Sequence, residues 1–364
     1  MRRLLLLALL LPLLVLPARA ARTDSALERQ EEALDTQGLE REGRSYLDGL
    51  DLTLDDGLDG GLEKLLDTGT RELGGVVRRA MGSAVLLVLV VLLCAVGEGA
   101  LGETGRVPAV SLAGTLGVLA VAVGDVRSLM GLGTSAIDAM ASFSNVLLPT
   151  VAAVTAATGA VTGAAARQMA AALFSGLLMN LIRGVLIPLL YGYMALTAAW
   201  AAVGNDGLRR VAALLKWAAV TMLTVVMLAY VGYLTVSGVV ARPADALAVK
   251  AAKAAISGAV PVVGGILADA SESVLAAAGI LRGTVGVFGM LIVLGICLAP
   301  FLHLAVHYLF YKAAAALSAA VGGGRIPALV EQLGSAFGMI LGMTGACALL
   351  LLVSLVSSLM VVTV

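Results

Sequence analysis

The chain has 364 residues, of which 60% are hydrophobic and 13% are charged, and its formal net charge is zero. A soluble domain carries about 45–50% apolar and about 25% charged residues, so this composition excludes an ordinary soluble protein. Several apolar runs approach the length of about 20 residues that crosses a bilayer. The sequence therefore predicts an all-α, polytopic transmembrane helical bundle with about six or seven spans.

Residues 1–20 have the parts of a secretory signal peptide. Arg2 and Arg3 supply the charged start, residues 4–16 are apolar, and small residues at 18–20 precede a cleavage point. An uncleaved anchor is the alternative, but the apolar core is short for a span. Both interpretations predict that the residues after it are exported.

The exported part, residues 21–79, is predicted to be acidic and partly flexible. It holds 15 of the 24 acidic residues but only 8 of the 24 basic ones. Nucleic acid is therefore excluded as a partner of this part, because both would be negative. The spacing of Leu58, Leu62, Leu65 and Leu66 predicts a short helix that docks on another part of the protein. The transmembrane domain is predicted to occupy residues 80–364.

Three apolar runs, at residues 80–96, 107–123 and 143–162, predict the first three spans. An amphipathic segment, residues 126–143, lies between the last two. Large apolar residues form one of its faces at the helical period of about 3.6 residues, which predicts a helix lying along the membrane interface. Its other face carries Arg127, Gly131, Thr134, Asp138 and Ser142.

Residues 169–202 are too long for one ordinary span and have Arg183 and Pro188 near the middle. They predict either one tilted, kinked helix or two half-helices. A charge in hydrocarbon costs about 2.5–3.5 kcal/mol or more, which makes Arg183 a candidate functional residue. It contacts a pore or a partner if it lies inside the membrane, and it is an ordinary interfacial residue if it lies in a loop.

Further spans are predicted at residues 211–240, 285–309 and 334–361, and a polar helical hairpin at 242–282 separates the first two. Lys250 and Lys253 precede its turn, and Asp269 and Glu272 follow it, so the two arms can pair through opposite charges. A polar hairpin between spans is typical of a surface that faces a cavity, a headgroup layer or a partner.

The turn of this hairpin is predicted at residues 259–265. Pro261 lies within it, and Gly264 and Gly265 would allow the tight reversal because glycine adopts positive φ freely. Elsewhere, His303 and His307 share a helix face, but the aromatic residues and lysine that follow are typical of an interfacial belt rather than a metal site. The chain has no nucleotide-binding or catalytic motif, which predicts a protein that is not an enzyme and needs no cofactor.

Four motifs carry a resemblance to a known family. They are FSNVLLP at 143–149, VLIPL at 185–189, AKAAISGAVPVVGGILADA at 252–270 and CLAP at 297–300. In their order and spacing they resemble the stage III sporulation protein AE family of endospore-forming bacteria. The resemblance runs from about Asp138 to the C-terminus, and the Pro-Val-Val-Gly-Gly turn followed by Asp269 is its most specific part.

The resemblance implies a membrane subunit of the channel complex that joins the mother cell to the forespore and is needed for spore development. It implies a place in the mother-cell membrane and several partners: membrane and ring proteins from the same gene cluster, a secretion-type ATPase and a forespore channel protein. Small residues at close helical spacing, such as Gly338 and Gly342, allow tight helix packing either within the chain or between copies of it, so a homo-oligomer is left open. The candidate partner or pore contacts are Arg183, Lys250, Lys253, Pro261, Gly264, Gly265, Asp269 and Glu272.

A secondary transporter for a small solute is the alternative function. The position of Arg183 in an interrupted span favours it. So does an apolar run ending in proline, which follows Asp138 and occurs again after Asp269, because internal repeats are common in transporters.

Overall fold

The computed structural model describes residues 36–47, 52–53, 57–100, 108–157, 161–259, 264–321 and 324–359, and within 234–282 it describes the backbone alone. All regular structure in these ranges is helical. The elements are α1 (Thr36–Ser45), α2 (Leu58–Ala100), α3 (Pro108–Ala157), α4 (Val161–Leu181), a π-helical turn (Ile182–Leu186), α5 (Ile187–Val203), α6 (Asp206–Ala259), α7 (Gly264–Val321) and α8 (Arg325–Leu359).

Six segments of the described chain are long and apolar enough to cross a membrane, which confirms the predicted polytopic helical bundle. The segments are Leu58–Gly97, Val110–Ala156, Met169–Val203, Asp206–Tyr233, Gly283–Ala320 and Arg325–Val356.

Helix α2 joins the predicted docking helix and the predicted first span into one element of 43 residues. The predicted docking is confirmed for Leu62 and Leu65, which pack against the bundle, but Leu58 and Leu66 are exposed. Gly61 and Gly69 face Leu291 and Leu298 of α7, and a Cβ atom at Gly61 would overlap the Leu291 side chain. The domain boundary predicted at residue 79 lies inside this helix.

Helix α1 and the residues after it pack against the bundle. Leu39 and Leu52 are fully buried. The Tyr46 ring meets the Phe143 ring of α3 edge-on, with 6.4 Å between centroids. Part of the segment predicted to be flexible is therefore anchored on the transmembrane helices.

Helix α3 is one helix of 50 residues where the sequence predicts two spans with an interfacial helix between them. The two predicted faces are present, since Leu129, Ile137 and Met140 are buried while Arg127 and Asp138 are exposed. The apolar face packs into the bundle core, however, rather than lying along the interface. In a bilayer a break in the helix would leave backbone N–H and C=O groups without partners, at a cost of several kcal/mol each. That cost exceeds the roughly 1 kcal/mol cost of each glycine in the segment, so the helix continues without a break.

The long segment with Arg183 is one candidate span, a single helix interrupted by the π-helical turn. Pro188 has no N–H group, so the usual bond to the carbonyl four residues earlier cannot form. The N–H of Ile187 instead bonds to the carbonyl of Ile182, five residues back. This extra residue in one turn accommodates the proline, and the kinked-helix prediction is the one that holds.

Helices α6 and α7 contain 54 and 58 residues. At 1.5 Å per residue each is about 80–90 Å long, far more than the roughly 30 Å hydrocarbon core. The arms of the predicted hairpin are the ends of these two helices, and Pro261 lies outside the described residues. The prediction of a positive-φ turn at Gly264 and Gly265 is wrong, because both belong to the first helical turn of α7.

Helix α8 lies at the centre of the bundle. Its Phe337, Ile340 and Leu351 are fully or almost fully buried among α3, α4 and α7. At one end of the bundle, Gly204 ends α5 with φ +79°, and its N–H bonds to the carbonyl of Trp200 at 2.7 Å. A side chain at Gly204 would collide with Arg325, so this connection requires glycine.

Candidate functional site

An ion pair joins two candidate spans near their middles. Arg183 in the π-helical turn donates from Nη2 to Oδ1 of Asp138 on α3 at 2.6 Å. The side chains are 47% and 58% exposed, so the pair lies at the surface of this one chain. At membrane depth a charged side chain is costly in free energy, and the attraction between opposite charges lowers that cost for both residues.

A cavity of about 300 Å³ lies beside this ion pair, between α3 and α4. Two hydroxyls in its lining, those of Ser144 and Ser175, are buried. The amides of Asn145 and Asn180 are exposed at its mouth. The cavity is lined by Ala141, Ser144, Asn145, Leu148, Pro149, Ala172, Ser175, Gly176, Met179, Asn180 and Arg183. It therefore combines polar groups with an apolar floor, as small-molecule sites do.

Arg183 lies at the start of the π-helical turn and faces α3. An extra residue in one turn changes the rotation of everything before it relative to the helix that follows. In this chain, Ala172, Gly176, Asn180 and Arg183 all line the same cavity, at helical spacings of three and four. The small side chains at 172 and 176 leave the space, and the two polar ones border it.

The exposed face of α3 around this cavity is polar along its whole length, and we call it the polar stripe. It consists of Arg127, Ser128, Gly131, Ser135, Asp138, Ser142 and Asn145. These positions recur at helical spacing over about 27 Å. The large exposed hydrophobic residues of α3 are Leu112, Leu116 and Val123, which all precede the stripe.

Further polar contacts hold the helices together at one level of the bundle. Lys312 donates to Glu331 at 2.9 Å and so links α7 to α8. The Tyr193 hydroxyl donates to the carbonyl of Gln332 at 3.2 Å and links α5 to α8.

The two histidines of α7 are engaged by their own helix. His303 Nδ1 lies 2.9 Å from the carbonyl of Ala299, and His307 Nδ1 lies 2.7 Å from the carbonyl of His303. Within the described residues no cluster of three or more metal-ligating side chains occurs.

Of the predicted site residues, the structure brings Arg183 into a site. Lys250 and Lys253 lie on α6, and Asp269 and Glu272 lie on α7, but their side chains are outside the described part. Their predicted pairing stays a prediction. Sequence reasoning missed Ser144, Ser175, Asn145 and Asn180. Asn180 could have been found, because it lies three residues before Arg183 in the same apolar run.

The fold and this cavity define the class: a polytopic helical membrane protein with a polar site between two spans. The sequence model of the Stage III sporulation protein AE family matches residues 58–362, and the chain belongs to that family. The predicted resemblance is thereby confirmed, and the match begins at Leu58, upstream of Asp138.

A curated relative, "Stage III sporulation protein AE" of Bacillus subtilis (strain 168), is 29% identical over 200 residues. The match spans 53% of this chain and 48% of the relative, about half the length of each. No solved structure matches the chain.

Proposed function

We propose that this chain is a non-enzymatic, multi-pass subunit of the membrane channel assembly that links mother cell and forespore. The observation that carries the proposal is family membership over residues 58–362 in a bundle whose polar cavity opens between two spans. The family provides the sporulation role. The cavity and the polar stripe provide surfaces that a channel subunit needs and that a purely lipid-embedded anchor would not have.

The proposed placement is the mother-cell membrane with the N-terminal segment exported. Six crossings then put the connections after α2, α5 and α7 on the cytoplasmic side. Arg209 and Arg210 follow the second of these connections, and Lys312 and Arg325 flank the third. Basic residues favour cytoplasmic loops, and these four follow that tendency, whereas Arg78, Arg79, Lys250 and Lys253 lie on the exported side and oppose it. The proposed orientation therefore rests on the exported N-terminal segment. This placement requires that α3 crosses the membrane once. If α3 crossed twice, the connection that precedes Arg209 would lie on the exported side.

The ends of α6 and α7 extend past their candidate spans on the opposite, exported side. Residues 234–259 are helical, which is a length of about 39 Å beyond Tyr233. We propose that this pair of helices reaches partner proteins between the two membranes. The predicted contacts Lys250, Lys253, Asp269 and Glu272 belong to it, and so do the glycines that begin α7.

The test is complementation of a deletion strain in an endospore-forming bacterium, with copurification of the assembly from sporulating cells. Arg183→Asp and Asp138→Arg each place two like charges together at membrane depth, and we expect each to lower spore yield and assembly strongly. The double reversal restores opposite charges and is the matched control, so we expect it to recover most of the yield. If both single variants gave full spore yield, the ion pair and the cavity beside it would have no part in the proposed function.

A secondary transporter is the second candidate function, and one observation favours it. The cavity lies near the middle of two spans beside an interrupted helix, which is where transporters bind solutes. Flux into liposomes separates the two functions. Saturable uptake of one solute by the chain alone favours the transporter, whereas non-saturable flux that requires partner proteins favours the channel subunit. No flux with stable copurification favours a scaffold.

A further inference from the structure

We infer that the polar stripe of α3 faces a water-filled passage for small hydrophilic solutes, closed by the same stripe of neighbouring copies of the chain. The inference rests on the membrane placement in the proposed function, but it does not depend on the role in sporulation.

The first argument is the contrast between α3 and α6 at the same height. Helix α4 lies beside α6, because the Phe174 ring is 5.3 Å from the Tyr230 ring. Further along, Gly192 of α5 approaches Leu215 of α6. Arg183 lies between these two contacts, so its partner Asp138 lies level with the middle of the α6 span.

At that level the surface of α6 is suited to lipid. Its exposed side chains there are Val220, Met222, Val225 and Leu228. The polar stripe crosses the same level of the bundle, but it exposes no large hydrophobic side chain. One face of the bundle is therefore apolar and another is polar at one depth, which a bilayer cannot surround uniformly.

The second argument is hydrogen bonding. Ser128, Ser135 and Asn145 are exposed, and their side chains make no hydrogen bond with any residue that the structure describes. An amide or hydroxyl without a partner costs several kcal/mol in hydrocarbon, roughly 4–8 kcal/mol on the cyclohexane scale. Water supplies the missing partners. Asn180 on α4 adds a second polar edge to the same surface, so the wetted face spans two helices.

The third argument concerns what completes the passage. One stripe is one wall, and lipid cannot supply the others. Copies related by a rotation axis normal to the membrane bring identical stripes to the same depth, so each stripe shields the others from lipid. Because Asp138 is paired with Arg183, the middle of the wall is formed by hydroxyls, amides and a neutralised charge pair. Such a wall suits small hydrophilic solutes.

The experiment uses cysteine accessibility in membrane vesicles that contain the full chain without sporulation partners. The native residues Cys94, Cys297 and Cys347 are replaced by alanine, and Ser135→Cys is introduced on the stripe, about 4.5 Å along α3 from Asp138. Val225→Cys on α6 is the matched control, because it is also well exposed and lies near the middle of the α6 span. A membrane-impermeant thiol reagent is added, and labelling in detergent shows that every site can react.

We expect at least tenfold faster labelling at Ser135→Cys than at Val225→Cys. Equally slow labelling at both would overturn the inference, because the stripe would then be covered by protein or lipid. Equally fast labelling would also overturn it, because that level would not be inside a membrane at all.

A flexible bis-maleimide then tests the neighbouring copies. We expect covalent dimers from Ser135→Cys and none from Val225→Cys, because only the stripe faces another copy. The absence of dimers at Ser135→Cys, despite labelling, would overturn the wall of identical copies. A chain that labels and crosslinks as expected but fails in sporulation would contradict the proposed function and leave this inference standing.

Discussion

The hydroxyl of Tyr311 on α7 donates a hydrogen bond of 2.8 Å to Oδ2 of Asp125 on α3. The Tyr311 ring is fully buried and meets the Phe337 ring of α8 edge-on, with 4.9 Å between the centroids. Three candidate spans therefore meet at one side chain. A hydrogen bond between two helices is directional, so it fixes how each helix is rotated about its axis. Close packing of small apolar residues alone specifies that rotation less strictly.

Tyr311→Phe removes this bond and leaves the Asp125 carboxylate, which is partly buried, without its donor. We expect the free energy of unfolding to fall by about 1.5–3 kcal/mol, the range for hydrogen bonds to charged groups. The measurement is unfolding of the purified protein in mixed micelles by increasing SDS, followed by circular dichroism. Tyr308→Phe is the control, because the Tyr308 hydroxyl makes no hydrogen bond within the described residues. Equal losses in both variants would mean that the bond does not stabilise the bundle.

Two glycines of α3 that are two residues apart give opposite predictions. A Cβ atom at Gly133 would lie 2.6 Å from Cγ1 of Ile340, whereas one at Gly131 would meet nothing within 4 Å. Gly133→Ala should destabilise by about 1–3 kcal/mol through overpacking. Gly131→Ala should be neutral or stabilise by up to about 1 kcal/mol, since alanine favours helix. The same SDS titration measures both, and a loss at Gly131 matching that at Gly133 would contradict the packing of α3 on α8.

The helical class and the number of spans follow from the sequence because membrane helices form their hydrogen bonds within themselves. The two faces of α3 also follow from the sequence, because its apolar residues recur at the helical period: Ile137 is buried while the adjacent Asp138 is exposed. The length of α3, by contrast, does not follow from the sequence. The change from the apolar run 107–123 to the amphipathic segment 126–143 predicts a boundary, and only the packing of Leu129 and Met140 against other helices shows that the helix continues.

The candidate site could be predicted only in part. Arg183 was found from its cost in hydrocarbon, but its partner Asp138 lies 45 residues earlier in the sequence. Their meeting depends on which face of α4 packs against α3, and a single sequence does not show that face. The anchoring of α1 was missed because Leu39 and Leu52 are isolated apolar residues in an acidic segment.

Pro188→Ala tests the link between the π-helical turn and the ion pair. Alanine restores an N–H group that can bond four residues back, so we expect the turn to become α-helical and Arg183 to rotate away from Asp138. The stability cost of Asp138→Asn should then fall towards zero in the Pro188→Ala background, as a double-mutant cycle measures. Pro300→Ala in α7 is the control, because it also removes a proline inside a helix. If Asp138→Asn costs the same in all three backgrounds, the π-helical turn does not position Arg183.

Leu39→Ala tests whether α1 is held on the bundle. The side chain is fully buried in α1, and truncation of a buried leucine costs about 2–5 kcal/mol. Because α1 lies at the edge of the fold, we expect this cost to appear as local release rather than global unfolding. Trypsin cleavage after Arg41 and Arg44 should therefore become at least tenfold faster, while the SDS midpoint stays nearly constant. Leu66→Ala is the matched control, since that leucine is 68% exposed on α2 and should leave cleavage unchanged. Unchanged cleavage in Leu39→Ala would show that α1 does not depend on this contact, and a large shift of the SDS midpoint would show that α1 unfolds together with the spans.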